Sequence, residues 1–61
     1  MKYGVIVQLR GADCEQTIQH ADSASARIAF GWARELDKVQ SARIFARDSD
    51  GNEMTLERFA H

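Results

Sequence analysis

Hydrophobic and polar positions alternate along the first ten residues of the chain. One side of this segment carries the larger apolar side chains, Tyr3, Val5, Val7 and Leu9. A period of two predicts a half-buried β-strand. After a turn at "RGAD", the segment "CEQTIQH" predicts a shorter and more polar strand. A four-residue loop between them would place Cys14, Gln16 and Ile18 opposite Leu9, Val7 and Val5 in turn.

The middle of the chain changes to helical spacing. In "ADSASARIAFGWARELDKV", Asp22 or Ser23 is a candidate N-cap, and alanines are frequent. The larger apolar residues recur every three or four positions, at Ile28, Ala29, Trp32, Leu36 and Val39. This pattern predicts an amphipathic helix that packs through Ile28, Trp32 and Leu36.

Two further alternating runs at the end of the sequence predict a second hairpin. Pairing Ala46 with Met54 would align the apolar sides of both runs and leave a three-residue loop, Ser49-Asp50-Gly51. Gly51 stands where such loops need a left-handed residue. In this register Arg47 faces Glu53 and Arg43 faces Glu57, as cross-strand ion pairs.

The order strand, strand, helix, strand, strand predicts an α+β fold, with one domain over residues 1–61. A single four-stranded antiparallel sheet would carry the helix on one face. A parallel pairing of the first and fourth strands would satisfy the same pattern. The helix should cover the apolar residues of the inner sheet face, Tyr3, Val5, Val7, Leu9, Ile18, Ile44, Met54 and Leu56.

The face of the sheet away from the helix is the strongest functional candidate. The predicted register places Ile6, Phe45 and Phe59 on it, with Arg43 and Arg47 at the rim. An apolar patch with a polar rim indicates a partner, although single exposed apolar residues are ordinary. We therefore expect Phe45→Asp to abolish association with a protein partner, or with a second copy in a homodimer, and to leave the fold intact.

Composition supports the need for a partner. A chain of 61 residues has a thin core, and its single cysteine cannot form an internal disulfide. Small scaffolds of this kind are commonly reinforced by association. The apolar run near the start has only three residues, too short to enter a membrane. With the lone thiol, this predicts a cytoplasmic protein without a membrane partner.

Nucleic acid is the alternative partner. A helical stripe of three cations and a glycine is formed by Arg27, Gly31, Arg34 and Lys38. Three charges would give only weak, salt-sensitive phosphate binding, and Glu35 and Asp37 could simply neutralise a solvated face. The "RIFAR" segment has suitable chemistry for stacking RNA bases, but Glu53 and Glu57 would repel phosphate. Protein binding therefore ranks above RNA binding, and the net charge of -1 gives no field that would concentrate nucleic acid around the molecule.

Candidate catalytic chemistry is sparse. Cys14 and His20 on one strand would lie roughly 20 Å apart, too far for a nucleophile and its base. Cys14 is expected to be a small buried hydrophobe, and His61 is the terminal residue. The loop "DSDGNE" lacks the spacing of a calcium-binding EF-hand. We expect no enzymatic activity, no cofactor and no metal.

The segment "TIQHADSASARIAFGWARELDKVQSARIFARDSDGNEMTLERF" resembles many very small strand-strand-helix-strand-strand proteins of bacteria and phages. The shared features are a short Ala/Asp/Ser cap after a strand, an alanine-rich helix and a closing hairpin with a "DGN" turn. Some phage-encoded anti-CRISPR proteins are similar in size and element order. The resemblance implies a stoichiometric inhibitor that blocks a host complex by occluding its surface, and it assigns no role to individual residues.

Overall fold

A computed structural model describes residues 1–60. The elements, in chain order, are β1 (Lys2–Leu9), β2 (Gln16–His20), α1 (Ser23–Glu35), β3 (Val39–Arg47) and β4 (Glu53–Ala60). The strands form one sheet in the order β2-β1-β3-β4, in which each strand is antiparallel to its neighbours. The α+β class with a four-stranded antiparallel sheet and one helix is confirmed. Because β3 lies between β1 and β4, the first and fourth strands do not pair.

The first hairpin has the predicted register where its strands pair. Val5 lies opposite Ile18, and Val7 lies opposite Gln16. The strand β2 begins at Gln16, so Cys14 lies in the turn and is exposed. The expectation that Cys14 is buried, opposite Leu9, is therefore wrong. Leu9 instead pairs with Val39 of β3.

The turn of the second hairpin also agrees with prediction. Ala46 lies opposite Met54, and Gly51 adopts a left-handed φ of 87°. The Asp48 side chain organises the loop, because its Oδ1 accepts hydrogen bonds from the backbone N–H groups of Asp50 and Asn52 at 3.0 and 2.9 Å. This carboxylate oxygen is engaged by the turn itself, which is the ordinary role of aspartate at such positions.

A β-bulge in β4 changes the register of the second hairpin. Phe45 lies opposite Thr55 but Ile44 lies opposite Glu57, so Leu56 is an extra residue. Every later residue of β4 is therefore shifted by one position. Phe59 lies opposite Ala42 on the helix side of the sheet, and Arg43 lies opposite Arg58. The predicted Arg43–Glu57 pair and the predicted place of Phe59 on the open face are wrong for this single reason.

The helix starts at an aspartate cap. Asp22 has an extended backbone, and its Oδ1 accepts a hydrogen bond from the N–H of Ser25 at 2.8 Å. This bond satisfies one of the amide groups that have no partner in the first helical turn. It also stabilises the ionised carboxylate, which lowers the pKa of Asp22.

Acid is expected to destabilise the chain in part through Asp22. Hydrogen bonding from Ser25 holds the folded-state pKa of this carboxyl below its ordinary value of 3.8. The contribution of Asp22 to the free energy of unfolding is therefore fully present above that value and is lost as the pH falls through the folded-state pKa. Thermal melts between about pH 6 and about pH 2 should show a smaller fall in melting temperature for Asp22→Asn than for wild type, because the asparagine cap does not titrate. Identical pH profiles for the two proteins would contradict this role.

The helix presents a different face to the sheet from the predicted one. Its buried residues are Ala26, Phe30 and Ala33, whereas Ile28, Trp32 and Leu36 are 63%, 67% and 52% exposed. Two of the three buried residues are alanines, which allow the helix to approach β1 and β3 closely. The ring of Phe30 then meets Phe59 edge to face, with centroids 5.4 Å apart. Because the bulge brings Phe59 to this side, the bulge and the helix orientation are coupled.

The core lies between α1 and the two central strands. Its members are Val5, Ala26, Phe30, Ala33, Val39, Ala42 and Ile44. Tyr3, Val7 and Leu9 pack around its edge, as predicted. Three residues expected inside, Ile18, Met54 and Leu56, remain exposed because they lie on the outer strands, beyond the cover of the helix. Val39, assigned above to the helix, is the first residue of β3.

Candidate protein-binding surface

The open face of the sheet does not expose the aromatic anchor that the sequence predicts. Ile6 and Phe45 lie on this face, away from the helix core, but only 8% and 2% of their surfaces are exposed. Phe45 lies opposite Gly4, and its ring fills the space above that glycine. A Cβ atom added to Gly4 would lie only 2.5 Å from Cζ of Phe45. Phe45 therefore forms a second small core on the open side.

Arginine and glutamate side chains cover this second core. The guanidinium of Arg47 lies 5.5 Å from the centroid of the Phe45 ring, in cation–π geometry. Glu53 accepts from Arg47 at 3.1 Å through Oε2 and from Arg43 at 3.4 Å through Oε1. Arg43 also donates to Oγ1 of Thr55 at 3.3 Å. The two predicted rim arginines are thus engaged in covering Phe45.

The predicted basic stripe on the helix is interrupted. The helix ends at Glu35, and Lys38 lies in the following turn, where its carbonyl accepts from the N–H of Arg10. The guanidinium of Arg34 lies 5.9 Å from the Phe59 ring, on the β4 side of the helix. Of the four predicted residues, only Arg27, Gly31 and Arg34 share the helix, so the structure brings two cations to its surface and not three.

Four of the exposed large apolar residues instead lie on β2 and on or next to the helix. We call this group the helix-edge surface and define it by one residue of β2 and three at or beside α1, namely Ile18, Ile28, Trp32 and Leu36. Each is at least 49% exposed. Ile18, Trp32 and Leu36 border a groove of ≈ 370 Å³ between the helix and the β2 edge of the sheet, and Ile28 borders a smaller depression beside Trp32.

The groove is apolar throughout most of its wall. Its floor and sides come from β1, β2, β3 and the helix, through Val5, Val7, Leu9, Gln16, Ile18, Ala29, Trp32, Ala33, Leu36 and Val39. Gln16 is the one polar residue among these lining residues. A contiguous apolar surface of this kind marks an interaction site more often than scattered exposed residues do.

The sequence does carry a signal for this surface. The helix has two apolar stripes, Ala26-Phe30-Ala33 and Ile28-Trp32-Leu36, on different sides. A single helix on one sheet can bury only one of them fully. The sequence pattern predicts that the bulkier stripe, Ile28-Trp32-Leu36, faces the core. In the structure the alanine-rich stripe faces the core, and the bulkier stripe is exposed to solvent.

The described residues offer little beside this surface for chemistry. Cys14 lies in the turn after β1, and His20 lies at the other end of the hairpin, opposite Tyr3. Nε2 of His20 is buried without a hydrogen-bond partner. Within residues 1–60, no three His, Cys, Asp or Glu side chains are grouped so that they could hold a metal ion. His61, the other histidine considered above, lies outside the described residues.

No helix in the described part of the chain is both long enough and apolar enough to cross a membrane. Comparison with protein-family models, with curated proteins and with solved structures finds no match to this chain.

Proposed function

We propose that the chain is a non-enzymatic protein-binding module that docks through the helix-edge surface. The observation that supports this is the exposure of Trp32, at 67%, inside a contiguous apolar surface. Tryptophan is among the residues that contribute most to protein interfaces when buried. A 61-residue chain also gains more than a large one from burying further apolar area, because its own core is thin.

The proposal keeps the predicted class of function and moves its location. The open face, where Ile6 and Phe45 were expected to bind, has a polar cover of Arg43, Arg47 and Glu53. Inhibition of a host complex by occlusion, in the cytoplasm, is the form of binding that the anti-CRISPR resemblance implies, and it requires only a surface of this kind. The nucleic-acid alternative gains no support, since its basic stripe is interrupted at Lys38.

A matched pair of variants tests the proposal. Trp32→Glu places a charge in the centre of the helix-edge surface, and Met54→Glu places one at an equally exposed apolar residue on the opposite edge of the sheet. Beads carrying wild type, Trp32→Glu or Met54→Glu are incubated with cell lysate, and retained proteins are quantified by mass spectrometry. We expect a partner retained by wild type and Met54→Glu to lose roughly 100-fold in affinity for Trp32→Glu. Equal retention by Trp32→Glu would place the binding site elsewhere.

A further inference from the structure

We propose that the partner seated on the helix-edge surface is a second copy of this chain. In this pair the two α1 helices lie antiparallel and cross at Trp32, about a two-fold axis. The inference rests on the proposed function and names its partner. Three observations support it: the excess surface of the monomer, the symmetry of the apolar stripe and a depression beside Trp32.

The isolated chain exposes more surface than a compact protein of its size. Its accessible surface is 4403 Å² for a mass of 6.9 kDa. A compact monomer of that mass exposes about 4,000 Å². The excess is on the order of 400 Å². Pairing of two copies through the helix-edge surface would remove apolar area from solvent in both.

The apolar stripe is symmetric about its central residue. Ile28 and Leu36 each lie four residues from Trp32, Ile28 within the helix and Leu36 at its C-cap. In an antiparallel pair crossing at Trp32, Ile28 of each copy meets Leu36 of the other, and the two Trp32 rings meet each other. Rows of residues spaced four apart pack into one another at about 50° in the commonest class of helix packing. The same surface therefore serves both copies, as a two-fold interface requires.

A depression beside Trp32 gives the second copy a place to insert a side chain. It has a volume of ≈ 270 Å³ and is bordered by Ile28, Gly31, Trp32 and Glu35. Residues at this spacing form the four-sided hole that accepts an apolar side chain from a facing helix. Gly31 leaves the hole open, because no atom outside the helix lies within 4 Å of the position its Cβ would occupy.

Charge does not oppose the pairing of two copies. Glu35 borders the depression beside Trp32, whereas Arg27, five residues before Trp32, lies about 140° away from it around the helix and outside the interface. The net charge of -1 adds little repulsion between the two molecules.

The dimer is expected to be weak. An interface built from the helix-edge surface and the groove walls falls at the low end for specific complexes, below about 1,200 Å² in total, and such interfaces are typically transient. We therefore expect a dissociation constant on the order of 1–100 µM. Trp32→Glu should raise it by roughly 100-fold or more, because it charges the centre of the interface on both copies.

Sedimentation equilibrium from about 1 µM to about 1 mM tests this range. Wild type and Met54→Glu should pass from monomer to dimer, whereas Trp32→Glu should remain monomeric. Trp32 is the only tryptophan, so its fluorescence maximum should also move to shorter wavelength as wild type associates. Far-UV circular dichroism checks that each variant is folded, and Ile28→Glu repeats the test if Trp32→Glu is not. Dimerisation that survives both charged substitutions would overturn the inference.

Disulfide trapping tests the antiparallel geometry. In a Cys14→Ser background, Ile28→Cys and Leu36→Cys proteins are mixed and oxidised, and the products are separated by mass. We expect the mixed disulfide, which joins one Ile28→Cys chain to one Leu36→Cys chain, to exceed both homodimeric products by at least about tenfold, because the antiparallel pair brings these positions together. Predominant formation of the homodimeric disulfides would show a parallel pair and overturn the proposed geometry.

The outcomes separate this inference from the proposed function. If wild type stays monomeric up to about 1 mM but a different protein is retained through Trp32, the second copy is not the partner and the binding surface stands. If wild type dimerises and Trp32→Glu does not, the proposed binding surface and the second copy as its partner are both supported. If Trp32→Glu changes neither dimerisation nor retention, the helix-edge surface is not a binding site and both fail.

Discussion

Phe45→Ala is expected to lower the free energy of unfolding by about 3–5 kcal/mol. The ring is 2% exposed, lies against Gly4 and is covered by the guanidinium of Arg47. Removing it leaves a cavity and takes away the surface on which Arg47 packs. At roughly 0.05–0.15 kcal/mol per residue, a chain of this length has only about 3–9 kcal/mol of stability to lose. Urea denaturation followed by far-UV circular dichroism measures the change.

A matched substitution at an exposed site provides the control. Met54 is 62% exposed on the neighbouring strand β4, so Met54→Ala should change the free energy of unfolding by about 0.5 kcal/mol or less. Phe45→Asp should destabilise more than Phe45→Ala, because it also buries a charge. This reverses the expectation from sequence that Phe45→Asp leaves the fold intact. A Phe45→Ala protein as stable as Met54→Ala would show that the second core does not exist.

Gly4→Ala is expected to destabilise the chain by about 1–3 kcal/mol, as overpacking substitutions do. The new Cβ would lie 2.5 Å from Cζ and 2.7 Å from Cε1 of Phe45, and 3.0 Å from the carbonyl oxygen of Ile18. The ring must move, which also disturbs its contact with Arg47. The expected change in the free energy of unfolding is opposite in sign to the usual one, because alanine in a strand is ordinarily more stable than glycine by roughly 0.5–1 kcal/mol. A more stable Gly4→Ala protein would contradict the close packing of Phe45 on Gly4.

A double-mutant cycle assigns the Gly4→Ala effect to Phe45. The methyl group of Gly4→Ala clashes with the Phe45 ring, so it should be tolerated once that ring is removed. The double variant Gly4→Ala/Phe45→Ala is therefore expected to be more stable than the sum of the two single changes predicts, by at least about 1 kcal/mol. Additivity within about 0.5 kcal/mol would mean that Gly4 and Phe45 do not interact.

Local features of the fold could be read from the sequence because short-range chemistry sets them. Asp22 caps the helix through a bond to an amide three residues away, and Gly51 adopts the left-handed conformation that its loop needs. Turn geometry then fixes the register of each hairpin next to its turn, as at Val7 and Gln16. The α+β class follows from these elements in order.

The sequence shows which residues form the apolar stripe of the candidate site, but not that they are exposed. Ile28, Trp32 and Leu36 stand out in the sequence as an apolar stripe, but their spacing is the same whether they face a core or a partner. The choice depends on which stripe fits closest to the sheet. With Ala42 and Ile44 beneath the helix, the stripe that contains Ala26 and Ala33 fits closer, and Phe30 fills the remaining space beside Phe59.

Short-range patterns were enough to predict the four strands, the helix, the tight turn at Gly51 and the class of fold, because each depends on neighbours within a few residues. The bulge at Leu56 and the rotation of the helix depend instead on contacts between distant parts of the chain. A period of two cannot reveal one extra residue in a strand, yet that residue moves Phe59 from one face of the sheet to the other. Phe30 then packs against Phe59, and this contact fixes the rotation of the helix, which leaves Trp32 exposed. The location of the proposed binding surface therefore follows from long-range packing.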